Sequence, residues 1–401
     1  MWLVLSLWKL RVGVEAYYLA QVADGLEEYY TGLGEAAGVW TGNAAGALGL
    51  TGRVAGPDLQ AILAGLAPGT ALTPNGEEQR PRKGRVPGFD LTFSVPKSVS
   101  VLYAVGDPSV QAAVIDAGER AVAEALVWLE REACFVRRGS NDQSRRPADG
   151  GPWGTRRMIT SGFVAARFRH RTSRLGDPQV HWHVLVANLA RGIDGRWTAL
   201  DGTAMYASKR AAGVLFQTVL RAELSRSLGV EWGPMRSDVA EIAGVPRAVL
   251  RLFSKRRVQI EEWLDEHGRS GPVAAQEATL ATRPPKTLTD EVALDQEWKD
   301  QATGIGWGPD QLEQFLASLT PTSSDGDGEP LERWVVPATA ELPERVVGFE
   351  EWLALLLDGR LTATDSTFTR HDLTQAVATA LPTGVSIARI DQVVNRALAT
   401  G

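Results

Sequence analysis

The residues with the most chemistry to offer lie between Phe168 and Asn188, which read FRHRTSRLGDPQVHWHVLVAN. Three of the chain's five histidines, His170, His181 and His183, fall in this stretch. His181 and His183 are two positions apart in an alternating, valine-rich run. On a β-strand that spacing puts both imidazoles on one face, about 7 Å apart along the backbone. Gly176, Asp177 and Pro178 spell a turn that can fold His170 back beside them. Three neutral imidazoles suit several divalent metals and leave coordination positions open for a substrate oxygen. A histidine pair on a strand also serves packing or a structural zinc site, and spacing alone leaves that alternative open. Cys134 is the single cysteine, so no cysteine quartet stands nearby. Val184, Leu185, Val186 and Ala187 follow His183 where a cupin-like oxygenase would place a carboxylate ligand.

The charge distribution narrows the substrate. Net charge is −6, which by itself argues weakly against nucleic acid. Yet ten arginines face two acids, Asp142 and Asp149, between Arg137 and Arg174, and Arg156, Arg157, Arg169, Arg171 and Arg174 are among them. A second basic stretch holds Arg80, Arg82, Lys83, Arg85 and Lys97 against Asp90 alone. Both flank the histidine strands, and a local positive field beside a metal site suits a polyanion.

Positioning these groups requires strands and helices in a particular order. GFDLTFSV alternates and reads as a half-buried strand with Asp90 on its polar face. Pro96, Lys97 and Ser98 then start a helix whose first turn suits phosphate contacts. Asp107-Pro108 opens a long helix to about Ala133, with the proline in a favourable first-turn position. Ile159 to Arg169 reads as the strand that delivers His170, and Val180 to Asn188 as the strand carrying the other two histidines. A second long helix covers Ser208 to Leu228. The opening MWLVLSLWKL reads as a buried first strand, too short for a membrane helix and without a signal-peptide cleavage site. The hairpin-like turns at 176–178 and 194–195 imply antiparallel pairing, so the expected fold class is α+β rather than a doubly wound sheet. The length suffices for one large domain and a smaller one, and the lone cysteine fits a reducing cytoplasm. No GxxxxGK[ST] loop is present, which argues against a nucleotide-driven motor.

Two tyrosine doublets, Tyr17–Tyr18 and Tyr29–Tyr30, sit in a helical pattern near the N-terminus and account for four of the six tyrosines. Tyrosines on a helix are usually packing residues. A tyrosine oxygen can nonetheless attack a phosphodiester where a metal neutralises the phosphate and something accepts the proton.

Taken together, the YY…YY segment, FDLTFSVPKSVS, FRHRTSR…DPQVHWHVLVAN and FSKRRVQIEEW resemble, in that order, a conjugative relaxase of the HUH endonuclease superfamily, MobF type. The resemblance covers roughly residues 1–310. It implies an antiparallel sheet packed by helices in a palm-like two-layer sandwich, with a helical C-terminal extension. It implies that His170, His181 and His183 hold a divalent metal, Mg²⁺ or Mn²⁺. Tyr17 resembles the tyrosine of the initial nick and Tyr29 that of the second strand transfer, with Tyr18 and Tyr30 as neighbours able to exchange roles. Tyr17 and Tyr29 lie twelve positions apart, wider than the resemblance leads one to expect. Asp90 matches an acid that orients a histidine or helps take the proton.

The implied activity is strand-specific nicking of single-stranded DNA at a transfer origin. Tyrosine transesterification would leave a 5′-phosphotyrosine and a free 3′-OH, and the basic residues named above would hold the DNA. The implied partners are relaxosome accessory proteins, a coupling protein and a separate helicase, with no membrane. The expected organisation is a relaxase domain over 1–310 (234–310 being a helical subregion), a linker over 311–345 and a small helical segment over 346–401, the last a remnant of what precedes a helicase. A rolling-circle replication initiator and a catalytically inactive origin-binding protein are the alternatives.

Overall fold

The computed structural model describes residues 5–11, 38–78, 84–139, 154–282, 291–320, 334–336, 345–358 and 367–400. Its centre is a five-stranded sheet made of β1 (Leu5–Lys9), β2 (Val39–Thr41), β3 (Gly88–Ser94), β6 (Ala165–Thr172) and β7 (Pro178–Ala187). The spatial order is β1-β3-β7-β6-β2, and every neighbouring pair is antiparallel. The α+β expectation holds. Gly176 turns the chain between β6 and β7 with φ +74, a left-handed conformation that glycine adopts without steric cost. Two small ribbons flank the sheet, one of β4 (Phe135–Arg138) with β5 (Arg156–Ile159), the other of β8 (Ala190–Arg191) with β9 (Trp197–Thr198).

Strand alternation gives the sheet two different faces. Val180, Trp182, Val184 and Val186 of β7, Phe89, Leu91 and Phe93 of β3, and Leu5 and Leu7 of β1 are buried in one large core. That face is covered by two long helices packed along each other, α3 (Pro108–Ala133) and α4 (Gly202–Leu228), with the shorter α2 (Lys97–Val105) against β7. Asp107 caps α3 by accepting from the backbone N–H groups of Ser109 and Val110, which satisfies donors that the first turn leaves free. Trp182 lies against α3 at Gly118, where a Cβ would run into its ring. The opposite face is only partly covered. Trp40, Leu50, Leu59, Ile62 and Leu63, from β2 to α1 (Gly56–Ala64), pack over Ala166, Phe168, Leu185 and Ala187. Among the described residues, the histidine end of that face carries no such apolar cover.

Several sequence expectations need correction. β1 is an edge strand buried on one side only, since Leu5 and Leu7 enter the core while Trp8 is 53% exposed. Ile159 belongs to the β4–β5 ribbon, and β6 begins at Ala165, because Gly162 (φ +115) breaks the extended run. α4 starts at Gly202, six residues before the expected Ser208, where the Asp201 side chain accepts from the Thr203 N–H.

Beyond α4 come α5 (Arg247–Leu252), α6 (Lys255–Glu266), α7 (Pro272–Ala281), α8 (Glu291–Gly304) and α9 (Pro309–Ala317). Within the described part of 311–345, α9 buries Leu312, and β10 (Trp334–Val336) pairs with β11 (Arg345–Val347). α10 (Phe349–Leu356), α11 (Arg370–Ala380) and α12 (Ile387–Thr400) do not form a separate core. Leu373, Val377, Ile390 and Val394 join the same cluster as the sheet's apolar face. Arg221 of α4, 1% exposed, donates to the carbonyls of Ala378, Leu381 and Pro382 at the end of α11. A buried cation at a helix C-terminus satisfies carbonyls that lack intrahelical partners. No helix among the described residues is long and apolar enough to cross a membrane.

Candidate metal centre

Pairing of β6 with β7 sets His170 directly opposite His181, and Phe168 opposite His183. Because the turn returns the chain in this register, all three histidines point to the same face, opposite the large core. Their ring centroids are 5.0, 5.2 and 5.2 Å apart. One ligand atom from each lies within 4.8 Å of the others, an arrangement able to hold a metal ion. β6 carries a register irregularity between His170 and Thr172, and such bulges re-aim the side chains beside them.

Each of the two β7 histidines is held by its Nδ1. His181 Nδ1 is 2.7 Å from the Gln179 carbonyl oxygen, which fixes that nitrogen as the donor. His183 Nδ1 lies 2.9 and 3.0 Å from the two oxygens of Asp90 and donates to that carboxylate. Thr92 Oγ1 sits 3.2 Å from the same nitrogen. Both rings are thus left with an Nε2 lone pair, and a carboxylate behind a histidine raises its basicity as a ligand. Burial, with the neighbouring His183 imidazole acting in the same direction, pushes His181 down from 6.5 to about 4. It is therefore neutral at pH 7. The donor set of three imidazoles, two of them oriented from behind, fits a divalent ion with open positions.

Asp90 is on the expected face but 7% exposed, with both oxygens turned to His183, so its geometry is that of an orienting residue. The sequence reading missed Thr92 and the Gln179 carbonyl. Alternation along FDLTFS, which puts Asp90, Thr92 and Ser94 on one side, carried a signal for the first. Trp8, paired across the strands with Asp90, also projects to this face.

The basic residues divide. In the β4–β5 ribbon Arg137 is opposite Arg157, and Arg138 opposite Arg156. Like charges so placed repel. Asp201 sits beneath the first pair, accepting from Arg137 Nη2 at 2.6 Å and Arg157 Nε at 2.7 Å. Burial alone would raise the Asp201 carboxyl, but these bonds hold it at about 2. Both guanidinium side chains remain 54% exposed, and Arg156 is exposed beside them. Arg85 donates to the Leu63 carbonyl at 2.7 Å, and Arg174 is half-buried in the turn.

The remaining basic residues have other partners or directions. The alternation that turns His170 to the open face turns Arg169 and Arg171 to the other side of β6. There Arg171 is buried against Asp295 at 2.6 Å. Lys97 is 4% exposed, its Nζ 2.7 Å from the Pro178 oxygen. The first turn of α2, expected to meet phosphate, already holds the Glu241 carboxylate, which accepts from the Ser98 N–H at 2.7 Å. Tyr17, Tyr18, Tyr29, Tyr30, Arg80, Arg82 and Lys83 lie outside the described residues.

Comparison with known proteins agrees with this geometry. The TrwC relaxase family model matches residues 12–305. The multifunctional conjugation protein TraI of Escherichia coli K12 is 31% identical over 341 residues, 80% of this chain and 18% of that protein. The chain therefore spans about a fifth of the length of the curated relatives it matches. A metal-free structure of the conjugative relaxase TrwC with oriT DNA superposes with a TM-score of 0.63 at 31% identity, covering 76% of this chain and 99% of that one. The metal-bound form of that complex gives a TM-score of 0.62 at the same identity and coverage.

Proposed function

The chain belongs to the TrwC relaxase family of MobF-type conjugative relaxases, and from that premise we propose that it nicks and rejoins one DNA strand at a transfer origin, initiating conjugative transfer. The observation that carries this reading is the convergence of His170, His181 and His183 on one sheet face, with His183 braced by Asp90. A divalent metal held there, Mg²⁺ or Mn²⁺, would supply a Lewis acid that neutralises charge on the scissile phosphate. Relaxase TrwC in its metal-bound complex with oriT DNA is the precedent for such loading.

The protein's own residues do the rest. Asp90 and the Gln179 carbonyl hold two imidazoles in the ligand tautomer before any substrate arrives, so no reorganisation is needed at that moment. The Tyr17 oxygen attacks phosphorus in line as its proton passes to solvent. The bond from phosphorus to the 3′ oxygen breaks, and that oxygen takes a proton from solvent as it leaves, giving a free 3′-OH. The 5′-phosphotyrosine that remains conserves the bond energy, so a 3′-OH can reverse the step. Tyr29 acts in the second transfer, with Tyr18 and Tyr30 as their neighbours. Arg137, Arg156 and Arg157, exposed on their ribbon, suit the DNA backbone, and the exposed Trp8 ring beside Asp90 suits an unpaired base. Relaxosome accessory proteins, a coupling protein and a helicase activity complete the proposed set of partners.

The test uses 5′- and 3′-labelled single-stranded oligonucleotides carrying the transfer origin, incubated with Mn²⁺ and run on a denaturing protein gel. The expected result is a metal-dependent adduct on the strand downstream of the nick, absent in Tyr17→Phe and His181→Ala. An adduct removed by Tyr29→Phe but not Tyr17→Phe reverses the tyrosine roles. Specific DNA binding with no adduct in any lane defeats the nicking proposal and leaves an origin-binding protein.

A further inference from the structure

Three sequence stretches far apart in the chain meet behind the histidine hairpin. Lys97, from the FSVPKS stretch, sends its side chain into the interior and places Nζ 2.7 Å from the Pro178 carbonyl, the first residue of β7. Asp177, 1% exposed, precedes that proline and accepts from the Lys255 N–H at 2.8 Å, where the FSKRR stretch opens α6. Its other oxygen is 3.3 Å from Lys255 Nζ. Glu241 faces Lys97 from the loop before α5 and also takes the Ser98 N–H. Two residues further along, Ser100 Oγ accepts from the Val180 N–H at 3.1 Å, and the Val95 N–H donates to the Val180 carbonyl. The turn is tied from its other side as well, where Trp298 Nε1 donates to the Gly176 carbonyl at 2.7 Å.

Burying a lysine is costly. The desolvation acts on its pKa in the expected direction, bringing it from 10.5 to about 8 despite the raising effect of Asp177 and Glu241. A stem of Lys97's size could fill this space without a charge, and replacing buried ion pairs with apolar groups is often neutral for stability. What an apolar group lacks is a donor aimed at the Pro178 carbonyl. That carbonyl belongs to the segment that decides where β7 begins, just past the irregularity in β6. A one-residue slip there would carry His181 and His183 to the core face. The backbone of the next residue is equally exacting, because the Gln179 carbonyl is the acceptor that orients His181.

We propose that Lys97 is a positioning residue for the metal centre, holding the start of β7 through Pro178 so that Gln179 and His181 are presented in the ligand geometry. Ser100 is its partner in this clamp, and Asp177 and Glu241 keep the ammonium in place. The inference rests on the reading that the three histidines take a metal. It assigns to the FSVPKS stretch a task distinct from contact with DNA.

Co²⁺ is the probe, since its visible absorption reports the number and arrangement of its ligands. Titrating wild-type protein, Lys97→Met and Ser100→Ala with Co²⁺ yields an affinity and a spectrum for each, with melting temperatures measured alongside. Lys97→Met is expected to keep a cooperative melt, bind Co²⁺ about tenfold more weakly or worse, and show an altered spectrum. Arg221→Leu, which loosens α11 on the far side of the core, serves as a control that loses thermal stability and keeps wild-type affinity. Equal affinity and an unchanged spectrum in Lys97→Met overturn the proposal. So does a loss of affinity that Arg221→Leu reproduces at the same drop in melting temperature. Should Lys97→Met not fold, Ser100→Ala removes the second clamp without touching a charge and carries the same expectation. Wild-type protein that fails to bind Co²⁺ defeats the metal reading itself, a result distinct from either of these.

Discussion

The two faces of the central sheet are built from the same strands by opposite rules. On the covered face, Val180, Trp182, Val184 and Val186 are 0% exposed and packed under two long helices. On the open face, the residues between them are Gln179, His181, His183 and Leu185, and the polar ones are held by hydrogen bonds to one another and to backbone. The covered face owes its order to apolar burial, which is non-directional and tolerant of detail. The open face owes its order to a few directional contacts, each of which can be lost singly. Stability and chemistry are therefore separable one residue apart in β7.

The neighbours Trp182 and His181 offer the sharpest test of that separation. Trp182→Ala should cost about 3–5 kcal/mol in denaturant unfolding, the range for removing a buried aromatic, and it also removes the indole N–H that donates to Glu119 at 2.9 Å. His181→Ala should leave the urea midpoint nearly unchanged and abolish Mn²⁺ binding in calorimetry. If the tryptophan variant keeps its stability, or the histidine variant loses as much, the two faces are not independent.

Acid should act on the two sides in succession. His181 has a folded pKa of about 4, below its ordinary 6.5, so the unfolded chain takes up the proton first as pH falls. Metal-free protein should lose stability from about pH 6.5 down to about 4, by something on the order of 2 kcal/mol, and then level off. At the back, hydrogen bonding from His371 holds Glu132 at about 2 against 4.5, so the contribution of that contact to docking α11 should vanish only between those values. Melting temperature against pH reads both windows, and His181→Ala should erase the first alone.

A smaller effect belongs to the brace. Asp90→Asn should keep the fold and weaken Mn²⁺ binding roughly 10- to 100-fold, as loss of an outer partner of a ligating histidine typically does; unaltered affinity would mean that Thr92 suffices to hold His183. The smallest belongs to the rear surface. Arg131, half-exposed, pairs with Asp391 at 2.8 Å, and Arg131→Ala should shift unfolding by no more than about 1 kcal/mol. A larger shift would show that this contact, and not the apolar packing of α11 and α12, holds the C-terminal layer in place.

What the amino-acid sequence determined by itself was whatever depends on backbone period and local capping. Two-residue alternation was enough to set His181 apart from Trp182, and Asp90 apart from Leu91. Asp107-Pro108 was enough to start α3. The glycine turn at 176 was enough to make β6 and β7 antiparallel and so to bring His170 opposite His181. These are short-range consequences of geometry, and the histidine centre was legible for that reason.

Only the tertiary structure decided the fate of the long charged side chains and of the chain beyond α9. Lys97 reads in sequence as one more cation in a basic stretch, and it becomes an interior clamp because Pro178 arrives 81 residues later. The first turn of α2 reads as an anion site, and Glu241 takes it from 143 residues away. Arg171 faces inward because Asp295 meets it there. The C-terminal helices hold too few apolar residues for a core of their own and are ordered by sharing the one under α3 and α4. A lysine or arginine can reach water, carboxylate or carbonyl with equal ease, and its sequence neighbours do not say which it will find. That choice is made by residues brought together from distant parts of the chain, after the periodic elements have already formed their faces.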